Sequence, residues 1–129
     1  MEDIQVTSQP LQNVTNFAQA VSSVAQGTNQ SFQVLSTPQN GLIKAINCFL
    51  TNANCAVSGN TLTISLQNYE GRIYFQVTVQ LNSAVMAIPL WVFDDLNVEF
   101  TRGLYLNIAV GNSSGGNVGM VSGSIVWNQ

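Results

Sequence analysis

Few side chains in this sequence are able to do chemistry. There is no histidine, which removes the commonest general base, the usual partner of a Ser or Cys nucleophile and the most frequent zinc ligand. The acids are Glu2, Asp3, Glu70, Asp94, Asp95 and Glu99, and the cations are Lys44, Arg72 and Arg102. Asp95, Asn97 and Glu99 alternate, so on an extended chain they share one face as hard oxygen ligands that suit calcium. Their spacing departs from the twelve-residue calcium loop with glycine at its sixth position. A solvated turn, with Arg102 near enough to pair with an acid, is the plainer account. Asp94 and Asp95 face opposite sides of an extended chain and make a poor pair for a two-carboxylate hydrolase. The expectation is a protein with no catalytic residue and no cofactor.

Cys48 and Cys55 enclose a short polar stretch. A disulfide across such a loop would stabilise by about 2–3 kcal/mol, but spacing alone does not bring the Cα atoms within bonding range. Two buried thiols are the alternative. Trp127, Tyr105 and Tyr74 form a candidate binding surface. Flat apolar rings set among Asn and Gln offer the stacking and neutral hydrogen bonds that a glycan needs. Trp91 lies in a nearly continuous apolar run and reads as core, whereas Trp127 lies beside the C-terminus and reads as the freer ring. For every ring, packing in a core or interface is the competing role.

Charge is scarce on the elements that must position these groups. Charged residues make up 7% of the 129, against roughly 25% in an average soluble domain, and Ser, Thr, Asn and Gln take their place. Such a chain releases few counterions from a phosphate backbone, which argues against nucleic acid. It has no polybasic stretch to draw it to anionic lipid, and no apolar run long enough to span a bilayer as a helix. Partners must be chosen by shape and neutral hydrogen bonding. Strand edges normally carry lysine, proline or inward charges as guards. Here guards are nearly absent, so an oligomer or lattice, with a trimer favoured, is expected to cover the edges.

Periodicity supplies the elements. Residues 1–10 read as a polar arm. Leu11, Val14, Ala18, Val21 and Ala25 fall at helical spacing with Gly27 as terminator, which predicts a short helix over residues 11–26, with a strand and loop as the competing pattern. From residue 28 onward the period becomes two. The clearest strand has Ile73, Phe75, Val77, Val79 and Leu81 on one side and Tyr74, Gln76, Thr78 and Gln80 on the other. Pro89 interrupts an apolar run over residues 85–93 and marks an edge or a bulge. Turns recur every eight to twelve residues. The fold expected is all-β, an antiparallel β-sandwich or jelly roll over residues 28–129 with an N-terminal arm or helix over residues 1–27.

The C-terminal half resembles small virion structural proteins of tailed phages and related viruses. The pieces that carry the likeness are the alternating strand at residues 73–81, the run Phe100-Thr101-Arg102-Gly103-Leu104-Tyr105-Leu106-Asn107-Ile108, and the closing Ile125-Val126-Trp127. That resemblance implies a capsid decoration, cement or spike subunit that docks on a capsid lattice. A glycan-binding adhesin or lectin-like module is the alternative. The acidic, polar start at Met1-Glu2-Asp3 does not read as a secretory signal, which fits a protein made in the host cytoplasm and carried in a virion.

Overall fold

The computed structural model describes residues 12–21, 29–53, 61–81, 85–110 and 119–129. Nine strands form among them: β1 (Asn13–Ala20), β2 (Asn29–Leu35), β3 (Gly41–Ala53), β4 (Thr61–Gln67), β5 (Ile73–Gln80), β6 (Met86–Phe93), β7 (Val98–Phe100), β8 (Leu104–Val110) and β9 (Met120–Asn128). One sheet runs β1-β9-β3-β6 with β7 also paired to β3, and the other runs β2-β8-β4-β5. Every pairing is antiparallel.

The pairings are nested. The turn at residues 68–72 joins β4 to β5, and outward from it β3 meets β6, β2 meets β8 and β1 meets β9. One long hairpin has rolled up so that successive layers fall alternately in the two sheets. That is the jelly-roll form of a β-sandwich. The all-β expectation therefore holds. No helix among the described residues is long and apolar enough to cross a membrane.

The segment expected as a helix is the main correction. Residues 13–20 form β1, paired along its whole length with β9. Its half-buried positions are Asn13, Thr15, Phe17 and Gln19, while Val14 and Ala18 of the supposed helical stripe face outward. Pairing with β9 satisfies a full row of backbone groups, and this outweighs a side-chain pattern drawn from small and β-branched residues of modest helix propensity. Val21, just beyond, is buried, and its N–H bonds to the Gly119 carbonyl at 2.8 Å.

Between the sheets lies an apolar core. Leu62, Ile64 and Leu66 of β4 meet Leu106 and Ile108 of β8 within their own sheet. Ile43, Ile46, Leu50, Val121 and Ile125 contribute the other layer. Trp91 is buried, as its apolar run suggested. Pro89 sits on the edge strand β6 where the register shifts between Cys48 and Phe49, so the missing N–H falls at an irregularity.

Gly123 sets the spacing at the centre of the five-stranded sheet. It lies between Phe17 of β1 and Cys48 of β3. A Cβ there would sit 2.8 Å from the Cys48 Cα and closer still to the Asn47 carbonyl oxygen. Gly123→Ala is expected to lower stability by about 1–3 kcal/mol through forced backbone movement. A urea titration checks this, with Ser122→Ala as a control expected to shift stability by less than about 0.5 kcal/mol.

Candidate binding surfaces

The expected ring trio is divided by the fold. Trp127 is only 7% exposed. Its indole N–H donates to Thr15 Oγ1 at 3.0 Å, and its ring meets Phe100 edge-on at 5.8 Å. The residue near the C-terminus is covered because β9 is an inner strand, with β1 and β3 on either side. It is a packing residue whose polar tip is satisfied, and it offers no platform to a ligand.

Tyr105 and Tyr74 each contact the end of the sandwich where the turns at residues 36–40, 68–72 and 101–103 meet. Tyr105, on β8, shares a 2.6 Å hydrogen bond between its hydroxyl and Thr37 Oγ1, and its ring centroid is 5.9 Å from that of Tyr69. The Tyr74 hydroxyl accepts from the Thr101 N–H at 3.2 Å, and the Arg72 guanidinium lies 5.9 Å over its ring. Tyr69 itself, absent from the expected trio, is the most open ring, at 64% exposure.

Asn68 holds this end together. Its side-chain oxygen accepts from the N–H groups of Glu70 at 3.0 Å and Arg72 at 2.8 Å, and its own N–H bonds to the Arg72 carbonyl. Gly71 takes φ of 91°, a left-handed value that glycine adopts without penalty. The Tyr69 N–H bonds to the Arg102 carbonyl, Arg102 pairs with Glu70 at 3.1 Å, and the Arg102 N–H reaches Asn40 Oδ1 at 2.9 Å. Turn composition alone points to these loops. Their mutual stitching, and the role of Asn68, appears only once the strands are paired.

The three oxygen-ligand candidates part company. Asp95 and Asn97 line a depression of about 570 Å³ with Asp94 and Lys44, while Glu99 lines a different one beside Leu42. The Lys44 ammonium donates to Asn97 Oδ1, so this oxygen already has a cation. Among the described residues no three His, Cys, Asp or Glu side chains converge.

Cys48 is fully buried on β3, and burial pushes its thiol up to about 12. Cys55, its expected disulfide partner, lies outside the described residues.

The strand edges are the other notable surface. β1, β2, β5 and β6 contain no charged residue, although each lies at an edge of its sheet, and only the short β7, which shares an edge with β6, brings in Glu99. On the β5–β6 side, Ile73 is 51%, Val92 58% and Phe93 45% exposed. Phe75 of β5 stacks on Phe93 of β6 and meets Trp91 at a tilt, with both centroid distances 5.9 Å, so aromatic rings bridge the two sheets on this side.

No protein-family model matches the chain, and no curated protein matches it. It is similar to solved structures that include a chain of Desmodium yellow mottle tymovirus, at 9% identity over all of this chain and 93% of that one, with a TM-score of 0.48. A chain of turnip yellow mosaic virus matches at 9% identity over 95% of both, with a TM-score of 0.47. A chain of infectious bursal disease virus, Gx strain, matches at 18% identity over 93% of this chain and 32% of that one, with a TM-score of 0.43. Chains that are not viral match as well, among them latent PorU from Porphyromonas gingivalis, at 11% identity over 95% of this chain and 14% of that one, with a TM-score of 0.42, and none of the three viral chains is from a tailed phage. Scores and identities this low describe a similar outline and say nothing of activity.

Asn68→Ala leaves two backbone N–H groups without their acceptor and is expected to cost about 1–3 kcal/mol. Asn68→Asp keeps the acceptor and should recover most of the loss in the same denaturation experiment. For Cys48, iodoacetamide at pH 8 under reducing conditions should leave the thiol unlabelled in the native protein and label it in urea. Mass spectrometry of the Cys48 peptide reads the difference.

Proposed function

We propose that this chain is a structural subunit of a virus particle, a capsid decoration, cement or spike protein that works by self-association and by docking on the capsid lattice. The observation that carries the reading is the set of uncharged edge strands. A free edge presents a row of unpaired N–H and C=O groups, and solitary proteins blunt such rows with charge. Here β1, β2 and β5 have no such guard, and β6 has Pro89. Exposed Ile73, Val92 and Phe93 add apolar area beside the β5 and β6 edges. Depletion of charge with enrichment of aromatic residues is the composition of an interface core.

A neighbouring subunit at these edges satisfies both features at once, by extending a sheet or by covering the apolar strip. The trimer is the assembly we favour, and the protein acts through surfaces with no catalytic step. A coat of such subunits selects its neighbours by fit, since its field is too small to steer them.

Size-exclusion chromatography with light scattering tests the reading. Wild-type protein is expected to elute as a trimer or larger ring at micromolar concentration. Ile73→Lys together with Val92→Lys should shift it to monomer with the melting temperature of the folded domain retained. Wild-type protein that stays monomeric at every concentration overturns self-association.

A further inference from the structure

The two sheets present different outer faces. On the four-stranded sheet the register sets Gln33, Tyr105 and Gln67 in one row and Ser31 and Asn107 in the next, with Thr63 paired to Thr78 further along. Amides and hydroxyls dominate there, and exposed Ile73 enters only at the end of a row, opposite Gln67. That is the ordinary outer face of an antiparallel sheet, made for water.

The five-stranded sheet departs from this pattern. Val14 and Val126 stand in one outward row, Phe49 and Pro89 in another, and Met120 in a third. Among the large apolar side chains left exposed, Val14 at 63%, Val92 at 58%, Met120 at 40% and Phe49 at 39% all lie on this face. The polar residues between them are neutral, with Ser124 Oγ donating to Asn47 Oδ1 at 3.2 Å. No charged residue lies on β1, β6 or β9, and the one on β3, Lys44, is engaged by Asn97. Lys44, Asp94 and Asp95 surround a depression that reaches Ala45 and Val126, and so stand at one end of the face as a rim.

We propose that this face packs against the same face of a second copy, sheet on sheet about a two-fold axis. Size is the first argument. Four strands about 4.8 Å apart, with up to nine residues rising about 3.4 Å each, give a face of about 20 by 30 Å, on the order of 600 Å² in projection. The accessible area of a corrugated face exceeds its projection, so it reaches the roughly 800 Å² per partner of a stable interface. An apolar centre with charge only at the rim is also the composition of a contact between identical subunits.

Charge chooses the partner. Charged groups across a contact between unlike proteins select the partner and fix its register, and the centre of this face offers none. In a two-fold contact one patch meets itself, so an uncharged patch buries no unpaired charge. Asn16, Ser124 and Asn47 share a row, and each side chain both donates and accepts, so the row is able to satisfy itself across the axis. This contact goes beyond the β5 and β6 edges and does not depend on them. Only Val92 belongs to both, so the paired Ile73→Lys and Val92→Lys substitutions touch both contacts.

Light scattering on a set of variants separates the two contacts. Ile73→Lys alone blocks the edge, leaves the face, and is expected to give a dimer. Adding Phe49→Lys, a charge within the face, should halve that mass. Val14→Lys, on the edge strand β1, should do the same with less burden on folding, and Ser31→Lys, on the polar sheet, should leave the dimer intact. A second readout needs no substitution. Hydrogen peroxide converts the Met120 thioether to its sulfoxide, and mass spectrometry of its peptide follows the rate. Dilution of the wild-type protein below its dissociation constant should raise that rate about tenfold, in proportion to the uncovered fraction of the face. An Ile73→Lys protein that is monomeric at every concentration overturns the face contact and leaves the edge contact standing. A wild-type dimer that Ile73→Lys leaves unchanged and Phe49→Lys dissociates supports the face and overturns the edge. Oxidation of Met120 at one rate across the whole concentration range overturns the proposal and leaves the face to a partner of other sequence.

Discussion

Everything in this molecule depends on strands that are distant in the chain finding one another. The nested pairings put β9 between β1 and β3 and put β8 between β2 and β4. The inner strands β8 and β9 both pair with strands that lie far from them in the sequence. No local segment is stable alone, because a single two-stranded ribbon buries too little apolar surface to offset its ordering entropy. Burial of the two inner faces against each other is the interaction that makes the pairing worthwhile. The tight spacing at Gly123 and the covered Trp127 both follow from β9 being enclosed.

That dependence decides what was legible in the sequence. Strands with strict alternation, such as β4 and β8, can be read directly, since every second residue must be apolar. The turn at residues 68–72 and the edge character of Pro89 also follow from local chemistry. β1 was not legible, because its half-buried positions include Thr15 and Gln19, and its apolar residues happen to fall at helical spacing. Only the presence of β9 beside it makes an extended conformation the better one. Trp127 was misjudged as the freer ring for a similar reason. Position near a terminus predicts exposure, but Thr15 and Phe100 arrive from remote strands to cover it.

The surfaces divide along the same line. Absence of charge is visible in composition, and it already implies recognition by shape. Which uncharged residues share a face is not visible, since a shift of one residue in register exchanges the two faces. Gln33, Tyr105 and Gln67 are widely separated in sequence and become a row only through the β2–β8 and β4–β8 registers. Asn97 illustrates the reverse case. Its alternation with Asp95 and Glu99 suggests a ligand set, yet Lys44 from β3 reaches it first and Glu99 faces another depression.

The central place of β9 has a kinetic side. A chain leaves the ribosome from its N-terminal end, so β1 and β3 emerge well before the strand that must lie between them. Until β9 appears, the five-stranded sheet has a gap at its middle, and β1 has no neighbour to pair with. Folding of this sheet therefore waits for β9 and is dominated by contacts of high sequence separation, which makes it correspondingly slow. During that interval the uncharged strands are open to one another across different nascent chains. A cell making the protein in quantity has a reason to space its ribosomes or to supply chaperones, quite apart from what the folded protein does.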